Sequence, residues 1–218
     1  MQRLIEGYRR FRAQQWPERR AVFERLAHLG QSPRAMVIAC SDSRVDPTMI
    51  FNAEPGELFI LRNVANLVPP YEPDSAFHAT SAALEFAVRV LEVTDLIVMG
   101  HAMCGGIGVL LRGAPDPAGD FLVPWMRIAE RAKRRVLERA STDPQSDCEL
   151  ESVKLSLENL LTFPWIADRV TDRKLTLTGS MFDIRSGVLA LLGPDGNFAP
   201  VGAHAPGAAS DPPADGRR

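Results

Sequence analysis

Apolar residues in this chain fall into short continuous runs separated by longer stretches with helical spacing. Met36-Val37-Ile38-Ala39, Leu58-Phe59-Ile60-Leu61 and Leu96-Ile97-Val98-Met99 are unbroken rather than alternating, the pattern of strands covered on both faces. They predict a first strand over Arg34–Ala39, a second over Leu58–Arg62 and a third over Asp95–Met99. Leu175 to Ile184 reads as a fourth strand, and Arg185-Ser186-Gly187 turns the chain back into a fifth, Val188–Leu192, expected as an antiparallel edge. Between them, residues 2–29 read as helix, with Leu4, Ile5, Tyr8 and Phe11 on one face and a break or kink at Pro17. Asp46-Pro47-Thr48 looks like an N-cap followed by proline in the first turn of a short helix to about Asn52. Asn63 to Pro73 is loop-like. A helix over Ser75–Leu91 should bury Ala79, Ala83, Phe86, Ala87 and Val90, and further helices are expected over Gly105–Arg112, Phe121–Ala140, residues 149–161 and a short segment from Phe163-Pro164-Trp165.

Strands alternating with helical crossovers predict an α/β fold: a doubly wound, mostly parallel sheet in the order 2-1-3-4 plus the antiparallel fifth strand, with N-terminal and additional helices. One domain is expected over residues 1–200, its first 30 residues a helical arm. Residues 201–218 are mostly Ala, Pro, Gly, Asp and Ser, and should be disordered for want of apolar surface to bury. No internal repeat or interdomain linker is visible.

Composition narrows the function classes. A formal net charge of −2 over 218 residues gives no general attraction to nucleic acid or anionic membrane. The cluster Lys133-Arg134-Arg135 reads as a solvated helix face, since acidic residues interleave with it and no aromatic residues alternate. No apolar run is long enough to span a bilayer, and the N-terminus resembles neither a signal nor a transit peptide. A cytoplasmic location is expected, and the three cysteines suit a reducing compartment better than a disulfide framework. The amphipathic start fits packing against its own or a neighbouring subunit better than a membrane surface.

Two of the cysteines end strands. Ala39-Cys40-Ser41-Asp42-Ser43-Arg44 follows the first strand and His101-Ala102-Met103-Cys104-Gly105-Gly106 the third. Cys40, His101 and Cys104 offer two sulfurs and one imidazole, a set suited to zinc with a fourth tetrahedral position left over. The 61 residues from Cys40 to His101 exclude a compact zinc finger, but in a 2-1-3-4 sheet the two strand ends are neighbours at the point where the winding reverses. Taken singly, each residue is as well read as a small core hydrophobe or a structural histidine; the joint placement favours a metal. A phosphate cradle at Cys104-Gly-Gly-Ile-Gly108 is disfavoured, because no lysine follows the glycines. Asp42 and Arg44 can pair through two hydrogen bonds, keeping the carboxylate ionised and aimed. Asp42 then either accepts a hydrogen bond from the attacking oxygen or itself fills the fourth metal position and closes the site.

These motifs, with Glu54-Pro-Gly-Glu-Leu-Phe59 and Arg62-Asn-Val-Ala-Asn66, resemble the β-class carbonic anhydrase family over roughly residues 15–200. The resemblance implies one zinc per chain, hydration of carbon dioxide to bicarbonate and a proton, and a homodimer or higher homo-oligomer whose N-terminal helices embrace the partner. Two thiolates cancel the formal charge of zinc, so water on the metal feels a weaker field than beside three histidines, and the Arg44-held Asp42 is the implied assistant. The resemblance builds the carbon dioxide pocket partly from Phe59, Val64 and Phe86. Gly30-Gln31-Ser32-Pro33 and Leu67-Val68-Pro69-Pro70-Tyr71 look like the plant-type branch, in which the residue matching Gln31 reaches into the neighbouring subunit's site. Val37 stands where the bicarbonate-inhibited branch has Trp, implying no bicarbonate-driven closure, and Phe86 replaces the usual Tyr, removing a hydroxyl donor. His78 lies where a proton shuttle would be, though a surface position suits it better; Cys148 reads as a spare thiol. Two other functions stay open at this point: hydrolysis of carbon disulfide or carbonyl sulfide on the same fold, and a zinc-stabilised homologue without activity, against which the intact Asp42 and Arg44 weigh.

Overall fold

The computed structural model describes residues 1–74 and 76–202. Strands β1 (Ala35–Cys40), β2 (Leu58–Asn63), β3 (Asp95–His101), β4 (Thr176–Asp183), β5 (Val188–Leu192) and β6 (Phe198–Pro200) form one sheet in the order β2-β1-β3-β4-β5-β6. The first four are parallel, and β5 and β6 run antiparallel. The expected 2-1-3-4 order is therefore the order found. The fifth strand is not the edge, however, because β6 pairs outside it, Leu192 opposite Phe198. Three residues ending in Pro200 carry little strand signal, and proline is tolerated only at such an edge.

Each face of β1 feeds its own apolar cluster, as a doubly covered sheet requires. Met36 and Ile38 join Leu84, Leu96, Val98 and Phe163 on one side, while Val37 and Ala39 join Met99, Ile107, Met126 and Val136 on the other. In register, β1 Ala39 lies opposite β3 Met99 and β2 Arg62, so Cys40 and His101 leave the sheet side by side at its carboxyl edge.

The helices depart from expectation where polar residues do the packing. The arm comprises α1 (Gln2–Arg10), a wide turn over Phe11–Gln15 and α2 (Trp16–Leu29); Pro17 sits in the first turn of α2, where a missing donor costs nothing, and none of these residues is buried. After α3 (Pro47–Ile50), helix α4 (Ala79–Glu85) and a wide turn over Phe86–Val90 bury Thr80, Leu84, Ala87 and Val88, so Phe86 and Val90 face outwards rather than into the core. Following α5 (Gly105–Arg112), the expected long helix is broken into α6 (Leu122–Met126), a tight turn and α7 (Glu130–Glu138). Helix α8 (Pro144–Leu160) starts five residues before the expected 149, capped by Asp143, which accepts the Ser146 N–H at 3.2 Å. Its buried face carries Glu149, Ser152, Ser156 and Asn159 beside Val153, a polarity that hides it from an apolar-period reading. Helix α9 (Pro164–Thr171) leads to β4. No helix among the described residues is long and apolar enough to cross a membrane. The expected tail lies, from residue 203 on, outside the described residues.

Candidate metal centre

Cys40 ends β1, His101 ends β3 and Cys104 is the N-cap of α5; all three are buried, and their ligand atoms lie within 4.8 Å of one another. The His101 Nδ1 faces the Ala102 carbonyl at 2.9 Å, so Nδ1 carries the hydrogen and donates, leaving Nε2 bare. Among the described residues that buried Nε2 has no hydrogen-bond partner, which is costly for a nitrogen cut off from water. The sulfurs are also matched to a cation. A proton shared from Cys104 to Cys40 drives the Cys40 thiol well below its ordinary pKa and pushes Cys104 well above it, so one negative charge forms readily and the second is opposed by the first. The backbone N–H groups of Gly106 and Ile107, at the start of α5, favour negative charge on the Cys104 sulfur. A bare imidazole nitrogen and two thiols that ionise together only around a cation fit a zinc ion.

The turn after Cys40 is held by arginines. Arg44 grips Asp42 with Nε on Oδ1 at 2.9 Å and Nη2 on Oδ2 at 2.6 Å, and its own backbone N–H adds a third bond to Oδ1 at 3.0 Å. These bonds, the side-chain pair foremost, hold the Asp42 carboxyl far below the usual carboxylate range. Asp42 is not among the residues whose ligand atoms cluster, so the arrangement is the one in which the fourth metal position is left to another ligand. Arg44 Nη2 also donates to the Met103 carbonyl at 3.1 Å, tying the two motifs together. Behind the turn, Arg62 of β2 donates to the carbonyls of Cys40 at 2.9 Å and Asp42 at 2.6 Å, and to Asp46 Oδ2 at 3.0 Å. Asp46 meanwhile caps α3 by accepting the Thr48 N–H at 2.9 Å. The second glycine of the Cys104 motif allows α5 to close on the loop after β2, since a Cβ on Gly106 would lie 2.9 Å from both Ala65 Cβ and Val64 Cγ1.

The three residues expected around carbon dioxide separate within one chain. Val64 borders the centre through Gly106 and lines a mostly apolar cavity of about 780 Å³ with Phe77, Phe121, Leu122, Trp125 and Ile128. Trp125 Nε1 donates to the Val64 carbonyl at 2.8 Å. Phe59 and Phe86 do not line this cavity; they pack together, ring centroids 5.8 Å apart, on the side of the sheet that carries Met36 and Ile38. Gln31 is exposed beyond the amino end of β1, the end opposite Cys40. His78 sits at the cavity rim, its Nε2 2.6 Å from Asp74 Oδ1. Cys148 is a free, fully buried thiol, and burial pushes it up to about 12, so the spare thiol is an inert packing group. Reading from sequence gave no role to α8, yet Gln145 and Glu149 both contact the Cys104 backbone. An acidic residue in a helix of mixed polarity carries no local mark of that contact.

Known proteins share this arrangement. Residues 35–189 match the carbonic anhydrase family model. Beta carbonic anhydrase 3 of Arabidopsis thaliana is 36% identical over 199 residues, a match covering 88% of this chain and 76% of that protein. Among solved structures, the β-carbonic anhydrase CcaA superposes with a TM-score of 0.86 at 35% identity, over 94% of this chain and 93% of that one. One described as a tetrameric β-carbonic anhydrase from the filamentous ascomycete Sordaria macrospora gives 0.77 at 28% identity, over 88% and 96%. The split Cys-His-Cys centre at the carboxyl edge of a 2-1-3-4 sheet is thus part of a wider likeness, and the chain belongs to the β-class carbonic anhydrase family.

Proposed function

We propose that this carbonic anhydrase hydrates carbon dioxide reversibly at the edge of the sheet, with Cys40, His101 and Cys104 holding zinc and Asp42 and Arg44 directing the attacking oxygen. The observation that carries the proposal is the bare, buried His101 Nε2 beside two clustered thiols. Zinc, when bound, acidifies water; in the tris-histidine carbonic anhydrases, the reference case, its pKa falls to about 7. The protein's own contribution is orientation. Ionised Asp42 can only accept, so it selects a ligand that presents an O–H and disfavours anions that have none. Its Oδ2 has one donor, Arg44 Nη2, and keeps a lone pair for that hydrogen, turning the oxygen's own lone pair towards substrate. Arg44 cannot give up its proton and therefore holds Asp42 ionised throughout turnover.

Gln31, Phe59 and Phe86 act in a neighbouring subunit. Gln31 lies a full strand length, about 17 Å, from the metal centre of its own chain. Phe59 is on the outermost strand β2 and Phe86 is exposed, so both face a surface that a second copy would cover. The unburied arm α1–α2, with Leu4, Ile5 and Tyr8 in solvent, fits the same homo-oligomer.

Stopped-flow hydration with Asp42→Ala tests the assignment. About one zinc per chain and a rate lowered by roughly a hundredfold or more are expected, the magnitude of losing one orienting group at a reaction centre. Equal rates in the two proteins would remove Asp42 from the mechanism, and wild type without zinc would remove the ligands.

A further inference from the structure

Cys104 is held from behind by one turn of α8. Glu149, buried to 3% exposure, accepts the Cys104 N–H on Oε1 at 2.8 Å and the Gln145 Nε2 hydrogen on the same oxygen at 2.6 Å. Gln145 Nε2 also donates to the Cys104 carbonyl at 3.1 Å, and Arg112 Nη1 braces Gln145 Oε1 at 3.2 Å. Both backbone polar groups of one ligand are therefore engaged by two side chains. Glu151, two residues on, shows what a stabilising carboxylate looks like in this helix: it meets Arg139 and Lys154 at 3.1 Å each. Glu149 instead turns its oxygen to the ligand loop.

The peptide it grips is under tension. Met103 has a φ of +58°, the left-handed region that a residue with a long side chain adopts at a cost. Relieving that strain needs rotation about the Met103 N–Cα bond, which would carry the following peptide and Cys104 Sγ away from Cys40 and His101. The peptide is fixed at both ends: Arg44 holds the Met103 carbonyl at 3.1 Å and Glu149 holds the Cys104 N–H.

We propose that Glu149, braced by Gln145, is a positioning residue of the metal centre, fixing the Met103–Cys104 peptide behind the strained Met103 so that Cys104 Sγ faces the metal. The proposal rests on Cys40, His101 and Cys104 being the ligands.

The test compares the full-length wild type with Glu149→Ala, Glu149→Gln and Gln145→Ala. Zinc affinity is measured against a competing chelator, the Tm of each metal-free protein controls for folding, and the visible spectrum of each cobalt(II)-loaded form reports ligand geometry. Glu149→Ala should bind zinc roughly 10–100-fold more weakly, the usual cost of removing a partner that orients a ligand. Its cobalt bands should shift. Gln145→Ala should lose severalfold, while Glu149→Gln, which keeps an oxygen for the Cys104 N–H, should recover most of the affinity. Affinity in Glu149→Ala within twofold of wild type overturns the proposal, whatever happens to Tm, and so does an equal loss in Glu149→Gln. Should Glu149→Ala fail to fold, unchanged affinity and spectrum in Gln145→Ala overturn it. A wild type that retains no zinc overturns the ligand assignment and this proposal together, a result distinct from the others.

Discussion

Cys40 begins a polar turn and Cys104 ends one on the carboxyl edge of the sheet, but the turn after Cys40 is gripped by cations and the Cys104 loop by a carboxylate. On the Cys40 side, Arg62 spans two carbonyls and Arg44 clasps Asp42, close enough to solvent that the Arg44 side chain is 45% exposed. On the Cys104 side, Glu149 and Gln145 work from a buried helix face. The difference divides the labour as proposed above: the half open to solvent carries the Asp42–Arg44 pair assigned to substrate, and the half closed to it carries the groups assigned to ligand geometry. Arg44 touches both, through Asp42 and the Met103 carbonyl.

The largest effect that would break this contrast is expected from Arg62→Met. It strips the Cys40 turn of three hydrogen bonds at once, to the Cys40 and Asp42 carbonyls and to Asp46. Bonds involving a charged donor in a part-buried setting suggest a loss of about 2 kcal/mol in unfolding free energy. Hydration should slow about tenfold as Asp42 loses its backbone support, the order of effect that a small misplacement of a reacting group produces. Denaturant midpoints and stopped-flow rates check both; a variant as stable and as fast as wild type would show that the Cys40 turn holds itself.

A smaller effect sharpens the comparison by asking which side needs a neighbour. If Gln31 serves the adjacent subunit, co-expressed Cys40→Ala and Gln31→Ala chains should regain activity in mixed dimers. The site on the Gln31→Ala chain has its own Cys40 and borrows an intact Gln31. Random pairing makes half the dimers mixed with one good site in each, so about a quarter of wild-type activity is expected. Activity no greater than that of the two variants measured apart would place Gln31 outside catalysis.

How much of this was legible beforehand follows the same divide. Cys40, Asp42 and Arg44 fall in one short motif and His101 and Cys104 in another, each where an apolar run stops, so strand order alone brings the two motifs together. Glu149 was not legible, because its role comes from where α8 docks, over 40 residues from Cys104, and a glutamate in a polar stretch normally faces water. Phe86 misled for a related reason: apolar spacing marked it as core, but Thr80 and Leu84 set the phase of α4 and the wide turn that follows leaves Phe86 outside. The split of Phe121–Ala140 into two helices and the three-residue β6 likewise depend on tertiary contacts, which no local period records.

The smallest expected effect concerns acid, and it should separate the two sides by sign of charge. Helix α8 is anchored to α7 by carboxylates: Glu158 takes Arg135 at 2.8 and 3.0 Å together with Arg131, and Glu151 takes Arg139. The Arg135 hydrogen bonds hold the Glu158 carboxyl below its ordinary pKa. For Glu151, burial works the other way but is outweighed by Lys154 and Arg139, so its pKa is lowered too. A carboxyl depressed in the folded state contributes stability that is fully present above its unfolded pKa, about 4.3, and is lost as pH falls through the folded value. Because Glu158 and Arg131 are nearly half exposed, solvent screening leaves the contribution of that carboxylate near 0.5 kcal/mol. Glu158→Gln should therefore lower Tm by a small, constant amount between pH 6 and 8, roughly, and the gap should narrow as pH falls below about 4.3 and wild type is protonated through its lowered folded value. On the Cys40 side, the Arg62 bonds to carbonyls do not titrate, and Asp42 stays ionised well below the usual carboxylate range. The part of the Arg62→Met cost that comes from these two carbonyl bonds should accordingly persist through the same acid range. A Glu158→Gln gap that does not narrow as pH falls below about 4.3 would mean that Glu158 supports α8 through packing and not through its charge.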